Sequence, residues 1–362
     1  MAFFYEVAAL EPDIMTNALT PPLTDPTPIF DLHRAHIGSE LLIAASVHFK
    51  VFDRLVQGPL NFIELRAAVG LAERPAHVLF TALMAMGMLL EQDGKIALSE
   101  LAQEHLVSGG QFAIDDYLGL SAENPGVLAI VERLRANKPK GFDVDHGGAA
   151  FIFRAGMDSA MDQEASARRL TMALASRARN VAPVLARRLR LDGVETLLDV
   201  GGGSGLYGIA CLKQNPKLKL IVWDRPEVLK VVLELAAVHG VADRTTCVGG
   251  DMFADQVPKA DCVLLSNVLH DWDVPECQAL LDRLVATLPS GGRVLIHDAL
   301  LNDNLDGPLG VALFSAMLFT ITEGRNYSTA EYRTMLKKSG LITASEVIPT
   351  LVYCGVVEGV KR

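Results

Sequence analysis

Between residues 194 and 300 the apolar positions come in short unbroken runs: "TLLDV", "LKLIVWD", "TTCVGGD", "ADCVLLSN" and "GRVLIHDAL". A helical or Gly/Pro-marked segment separates each from the next. A strand buried on both faces has no polar side to alternate, so such runs between helices predict a parallel sheet covered on both faces. Upstream the period changes. Apolar residues recur at three- and four-residue steps in "ELLIAASVHFKVFDRLV"; "NFIELRAAVGL" reads as a short helix with a Gly stop, and "PAHVLFTALMAMGML" as a third helix with Pro75 near its start. "LLEQDGKIALS" is two short β-like runs about Asp93-Gly94, a hairpin signal. Helix, short helix, helix and hairpin make a winged-helix pattern. Residues 101 to about 190 are predicted helical, broken at "ENPG" and "NKPKGFDVDHGG". Within them "RRLTMALASRARNVAPVLARRLRL" is expected to be a basic amphipathic helix, interrupted by Pro183, with its arginines on a solvated face. Pro21, Pro22, Pro26 and Pro28 mark an extended arm. The expected division is an arm over 1–28, a helical winged-helix region over 29–190 and a doubly wound α/β domain over 191–362.

Composition narrows the partners. At 362 residues the chain exceeds the size at which one core usually stops growing, and with 50% hydrophobic and 21% charged residues it has ample material for a large core. A formal net charge of −10 repels a phosphate backbone and anionic lipid. A winged helix can read DNA, but the helix from 75 to 89 offers His77 and Thr81 among apolar residues with almost no Arg or Lys, so packing or dimerisation is expected and no nucleic acid. "LFTALMAMGMLL" and "GVALFSAMLFTI" fall short of the ~18 residues that span a bilayer and read as buried helices, with no membrane partner. The five cysteines, Cys211, Cys247, Cys262, Cys277 and Cys354, are dispersed and never form C-x-x-C. Reduced thiols in a cytoplasmic protein are expected, with no metal site. "MAFFYEVAALEPDIM" has no basic segment and carries Glu6 and Glu11, so no signal peptide is expected.

After the first strand, "DVGGGSGLYG" satisfies G-x-G-x-x-G from Gly203 to Gly208. Glycines there allow positive φ and close approach of a ligand, and the helix that follows offers free N–H groups. Asp224, about 20 residues on, suits ribose hydroxyls, so an NAD-dependent oxidoreductase is allowed by the residues. Asp199, just before the glycines, suits a cation better than a pyrophosphate. "GGDMF" places Asp251 and Met252 where an adenine could be gripped. Acids at successive strand ends suit a nucleoside with positive charge and no phosphate, such as S-adenosylmethionine.

With "LLDVGGGSG", "DRPEV", "GGDMF", "LHDWDVPEC", "GGRVLIHDALL" and "STAEYRTMLKKSGL" in order, the chain resembles the S-adenosylmethionine-dependent O-methyltransferases of the plant caffeate and hydroxyindole type, which include bacterial natural-product enzymes. The resemblance implies a Rossmann-like methyltransferase domain preceded by a winged-helix dimerisation domain, hence a homodimer. It implies a turn from Gly201 through Gly203 to Gly205 under the methionine part of the cofactor, with Asp199, Arg225, Phe253 and Ser266 among the contacts. Asp224 would hold the ribose hydroxyls, and Asp251 with Met252 would flank the adenine. Lys often stands in the plant enzymes where this chain has Ser266.

"LSNVLHDWDVPEC" ends a buried strand in His270, Asp271 and Trp272, before a helix start at Asp273, Pro275 and Glu276. Ligands of open α/β sheets bind beyond the carboxyl ends of strands, where His270 falls. A phenol has a pKa near 10 and histidine near 6.5, so a neutral imidazole can accept the phenol proton as its oxygen attacks. The family's base lies in the same "HDW" context, which makes His270 the expected general base, with Asp271 beside the acceptor and Trp272 in packing. His33, His36, His48 and His297 are expected to be structural. Where the family commonly supplies two glutamates to orient the base, this chain has Asp298, one methylene shorter, and Asn326, with Glu323 nearby. That departure leaves open a non-methylating use of the cofactor, decarboxylation or hydroxylation. Phe153, Met157, Phe314, Met317 and Ile321 are expected by resemblance to wall a pocket for a flat aromatic acceptor.

Overall fold

The chain lays down helices first: α1 (Thr27–Ile43), which runs on into one π-helical turn, then α2 (Val51–Arg54), α3 (Phe62–Val69) and α4 (Glu73–Ala85). These come from the computed structural model, which describes residues 19–138 and 164–362; Phe153 and Met157 lie outside the described residues. Asn61 starts α3 by accepting from the Glu64 N–H while Glu64 accepts from the Asn61 N–H, both at 2.9 Å, and Gly70 stops it at φ 69°. β1 (Leu89–Gln92) and β2 (Lys95–Leu98) form the hairpin, turning on Asp93 (φ 51°) and Gly94 (φ 74°). Positive φ at both positions gives the turn whose twist suits a two-residue hairpin. α5 (Glu100–His105), α6 (Asp115–Gly119) and α7 (Pro125–Ala136) follow.

α8 (Glu164–Arg188) corrects one expectation, since Pro183 lies inside a continuous helix. A proline in a helix interior costs about 3 kcal/mol. Val181, Ala182, Pro183, Leu185 and Ala186 are all buried, and their packing holds the turn that local preference would break.

The sheet follows the five apolar runs: β3 (Thr196–Val200), β4 (Lys219–Asp224), β5 (Thr245–Gly249), β6 (Cys262–Ser266) and β7 (Arg293–Ala299) are parallel. β8 (Leu341–Thr343) and β9 (Ile348–Pro349) each pair antiparallel with β10 (Cys354–Lys361), which also runs antiparallel to β7. The order β5-β4-β3-β6-β7-β10-β8 turns back between β3 and β6, which is the switch point where open sheets of this kind hold ligands. The connecting helices are α9 (Leu206–Gln214), α10 (Pro226–Val238), α11 (Val274–Thr287), α12 (Leu309–Ile321) and α13 (Thr329–Lys338).

Alternate residues of each strand feed two cores. Leu197, Leu220, Leu264 and Leu295 pack toward α8, α9 and α10; Leu198, Val263, Leu265 and Ile296 pack toward α11 and α13. At roughly 1.5–3 kcal/mol for each fully buried side chain of this size, the strands are fixed from both faces. A third core joins α1, α4 and α7 to Leu313, Ala316 and Phe319 of α12, so α12 is shared between the helical half and the sheet half. All five cysteines are free thiols, and among the described residues no helix is long and apolar enough to cross a membrane.

Candidate functional site

The carboxyl ends of β3, β4, β5, β6 and β7 bring most of the expected site residues to one edge of the sheet. Gly201, Gly203 and Gly205 all have positive φ (60°, 58° and 72°). A Cβ at Gly201 would stand 3.1 Å from Val268 and one at Gly205 2.9 Å from Val232, whereas one at Gly203 would meet nothing within 4 Å. The turn is therefore packed from below and open at its crest. The Gly201 N–H donates to the Trp223 carbonyl (2.8 Å) and the Gly203 N–H to Asp224 Oδ2 (2.8 Å), while Asp224 Oδ1 accepts from the Arg225 N–H (2.7 Å). Asp224 thus braces the turn, and burial raises its pKa against the help of those two N–H groups.

Asp199 lies under the turn, fully buried, with neither carboxylate oxygen in a hydrogen bond among the described residues. Burial pushes its pKa up to about 7; the nearby Gly208 N–H pulls the other way, and Asp224 adds to the rise. A buried acid with no hydrogen-bond partner beneath an open glycine crest is drawn to its ionised form by a nearby cation and raised further by an anion, so it fits a cationic nucleoside and opposes a pyrophosphate. Beyond β5, Asp251 Oδ1 accepts from the Phe253 N–H (2.8 Å), the half-buried Met252 packs on the sheet core, and Phe253 meets Trp272 edge-on at 4.6 Å. Ser266 is turned elsewhere. Its Oγ is 2.7 Å from His297 Nδ1 and accepts from Asn267 Nδ2 (3.1 Å). His297, pushed down to about 3 by burial, also bonds Thr350 (3.0 Å) and is a structural neutral histidine.

His270 follows β6 on a single 3-10 turn, 4% exposed. Its Nδ1 is 2.6 Å from Asp298 Oδ1, and its Nε2 is 3.7 Å from Asp271 Oδ1, beyond hydrogen-bond reach. Asp298 is a hub: Oδ1 also accepts from the Ala299 N–H (2.7 Å) and Oδ2 from the Tyr332 hydroxyl (2.8 Å). Burial alone would lower the His270 pKa, but Asp298 and Asp271 outweigh it and leave it raised. Burial would raise Asp298, but His270, Tyr332 and the Ala299 N–H outweigh that and leave it lowered. Asp271 is pushed up to about 6 by burial, despite the pull of His270. The arrangement can take a proton at Nε2 and stabilise the imidazolium that results.

Asn326 makes its side-chain bond to the Ala299 carbonyl (2.9 Å), so Asp298 and not Asn326 orients the imidazole. Phe314 meets His270 edge-on at 5.6 Å. Met317 packs partly against the helical core and Ile321 is the last residue of α12. Sequence reasoning missed three contributors. Tyr332 stands within the motif "STAEYRTMLKKSGL" but was given no role; the Ser328–Glu331 capping box that starts α13 was the one local signal of its placement. Gly324 touches the backbone of His270 and Trp272 so closely that a Cβ there would overlap both. Arg177, assigned to a solvated face, instead turns inward to Asn267 Oδ1 (2.6 Å) and Cys354 Sγ (3.1 Å).

Comparison with known proteins places this geometry. The family defined by the O-methyltransferase domain matches residues 130–342. The 3-hydroxy-5-methyl-1-naphthoate 3-O-methyltransferase of Streptomyces sahachiroi is 34% identical over 94% of this chain and 97% of its own length. A family 2 O-methyltransferase from Planctomyces limnophilus, solved in complex with apigenin, superposes with a TM-score of 0.87 at 43% identity, over 96% of this chain and 99% of the other. Human N-acetylserotonin methyltransferase in complex with S-adenosylmethionine shares the fold, with a TM-score of 0.57 at 22% identity over 92% of this chain and 96% of its own.

Proposed function

The chain belongs to the O-methyltransferase family, and from that premise we propose that it methylates a hydroxyl of a small aromatic or polyketide-like molecule from S-adenosylmethionine, with His270 as general base. The observation that carries the base assignment is the 2.6 Å contact of His270 Nδ1 with Asp298. With the Nδ1–H donating its hydrogen bond to that carboxylate, Nε2 keeps its lone pair, and an acceptor hydroxyl in reach passes its proton there as the oxygen attacks. Asp298 then faces a full imidazolium, and Tyr332 and the Ala299 N–H hold Asp298 ionised and in place. The bound cofactor supplies a methyl group already activated on a sulfonium, so placement and proton removal are the protein's main tasks.

The cofactor contacts follow the same reading. The crest of the turn at Gly203 takes the methionine part, flanked by Gly201 and Gly205 over the buried charge of Asp199. Asp224 offers its remaining lone pairs to the ribose hydroxyls, Asp251 and Met252 flank the adenine, and Arg225 and Phe253 form the rim. Phe314 walls the acceptor side. The hydroxynaphthoate and apigenin named for the two similar proteins are flat hydroxylated aromatics, which supports an acceptor of that kind. The helix–helix–hairpin module is read as a winged helix used for homodimerisation. Its support is the set of exposed apolar residues Leu32, Tyr117 and Leu120 on the helical half. Replacing His270 by Ala tests the base. S-adenosylhomocysteine binding should persist while transfer to a phenolic acceptor falls by about 10²–10⁴-fold. Full activity in that variant refutes the assignment.

A further inference from the structure

Two cations, Arg34 buried and Arg177 half-buried, stand beside the proposed base, and among the described residues neither forms an ion pair with a carboxylate. Arg34, on α1, is 2% exposed; its Nη1 donates to the Gly310 carbonyl at 3.3 Å, and its guanidinium carbon lies 4.2 Å from the centre of the Phe314 ring. Arg177, on α8, spends Nη1 on Asn267 and Nη2 on Cys354, while its Nε is buried with no partner and its guanidinium carbon lies 5.4 Å from the same ring. That ring is the one His270 meets edge-on at 5.6 Å. Phe314 therefore has an imidazole on its edge and two guanidiniums around it. Asn267, which holds Arg177, sits three residues before His270 at the end of β6, so the cations belong to the neighbourhood of the base.

Of the anions nearby, Asp298 is fully committed, and Asp31 keeps one buried oxygen, Oδ1, without a hydrogen-bond partner. Among the described residues, neither guanidinium has a carboxylate within 4 Å. Asp31, one helical turn before Arg34, accepts from the Tyr353 hydroxyl (2.8 Å), and Asp298 is taken by His270, Ala299 and Tyr332. In the sheet half Arg325 pairs with Glu331 and Arg293 with Glu358, while Arg244 and Arg283 bond backbone carbonyls. The two guanidiniums around one ring repel each other: burial and the charge of Arg177 pull Arg34 down to about 10 against the pull of Asp31, whereas Cys354, Tyr207 and Asp298 outweigh burial at Arg177 and leave it raised. A guanidinium fork is shaped for a carboxylate, which it holds by charge-assisted bonds that also fix orientation.

We propose that Arg34 and Arg177 receive a carboxylate of the acceptor, so that the preferred substrates are aromatic hydroxy acids bound in their ionised form. This rests on the O-methyl transfer reading and deepens it. The carboxylate docks on the guanidiniums around Phe314, the aromatic body of the acceptor lies against that ring, and the hydroxyl is presented to His270. The two arginines act by binding and positioning.

The test uses the full chain with S-adenosylhomocysteine bound. Hydroxybenzoates and hydroxynaphthoates of each substitution pattern are titrated by calorimetry beside their methyl esters, and transfer is measured with S-adenosylmethionine. At least one acid should bind about 10- to 100-fold more tightly than its ester, the range expected for hydrogen bonds to a charged group. Arg177→Gln and Arg34→Gln should each abolish that preference, and Arg177→Lys, which keeps the charge and loses the fork, should restore part of it. Because a variant at Arg34 can fail to fold, thermal melts accompany each titration and the Arg177 pair carries the test alone if needed. No acid outbinding its ester, or a preference that survives both glutamine variants, overturns the proposal. So does a tenfold loss of S-adenosylhomocysteine binding in Arg177→Gln with the acid preference intact, because the guanidinium then serves the cofactor's own carboxylate. An enzyme that methylates esters as readily as acids sinks only this proposal, whereas transfer to no hydroxyl at all, with cofactor binding intact, sinks the O-methyl reading.

Discussion

Replacing Asp298 by Asn keeps the size of the side chain and removes the charge on which the proposed base depends. Asp298 accepts three hydrogen bonds, from His270 Nδ1, the Ala299 N–H and the Tyr332 hydroxyl. An amide oxygen can keep the first two, but its NH2 then points at Tyr332, whose proton loses its acceptor. That structural cost is about 1–3 kcal/mol. The catalytic cost is larger, because nothing but Asp271 then opposes burial at His270, and the imidazolium that forms during transfer loses its counter-charge. General-base arrangements of this kind are worth about 10²–10⁴-fold, or roughly 3–5 kcal/mol of barrier.

The pH dependence has a definite sign. A base must be neutral to act, so the wild-type rate climbs with pH through the raised pKa of His270, above its ordinary 6.5. In Asp298→Asn burial prevails, the rising limb moves toward acid, and the plateau falls. Stability moves with the same pair. The raised His270 contributes stability that is fully present below its unfolded value of 6.5 and is lost as pH rises through the folded value. The lowered Asp298 contributes stability present above 3.8 and lost as pH falls through its folded value. The pair therefore stabilises most between those two unfolded values, and the variant should flatten thermal stability across that window. Single-turnover transfer measured from about pH 5 to 10, with melts at each pH, checks both limbs. A variant with the wild-type rate and an unmoved limb refutes the dyad.

Other perturbations separate the parts of the site. Gly203→Ala should lower stability by only about 1–2 kcal/mol, the cost of positive φ with open space around the Cβ, yet weaken S-adenosylhomocysteine binding tenfold or more in calorimetry. Asp199→Asn should raise the melting temperature of the ligand-free protein. The wild-type carboxyl has its folded pKa near 7, above 3.8, so it costs stability progressively as pH rises to about 7 and the advantage of the variant should grow over that range and then level off. Tyr332→Phe removes one donor to Asp298 and should cost about 1.5–3 kcal/mol in denaturant titration, with transfer reduced far less than in Asp298→Asn.

The sheet and its candidate edge were legible because a strand buried on both faces writes itself as an unbroken apolar run, and residues at its carboxyl end then fall together without further information. His270, Asp224 and the glycine turn were singled out that way, and Asp298 by the resemblance, as the residue standing where the family commonly has a glutamate. Tyr332 was not, because its partner depends on how α13 lies against β7, which no local pattern records. Asn326 occupies the expected place, but its amide closes on the Ala299 carbonyl. Arg177 and Pro183 were misread by rules that hold for isolated helices: arginine is usually solvated and proline usually ends a helix. Both exceptions lie on the part of α8 that packs on the sheet half, where tertiary contacts override the local preference.

The acceptor side is harder to read than the cofactor side for a physical reason. α12 is apolar on nearly every face, "LGVALFSAMLFTI", so its periodicity does not say which residues turn to the helical core and which to the site. Its orientation is set instead by the close approach of α1. A Cβ at Gly310 of α12 would overlap Asp31 of α1, so that glycine lets the helices meet, while a Cβ at Gly38 of α1 would just touch Leu313 at 3.4 Å and only a larger side chain there would press on α12. That approach sends Leu313, Ala316 and Phe319 into the helical core, leaves Phe314 beside His270, and carries Arg34 to the Gly310 carbonyl across 276 residues of sequence. Chemistry and acceptor recognition therefore have separate sources. In the proposed function, the base and the cofactor turn come from strand ends of one half, while the acceptor walls depend on where α1 rests on α12. Bulk at Gly38 or Gly310 should raise KM for the acceptor before it affects S-adenosylhomocysteine binding.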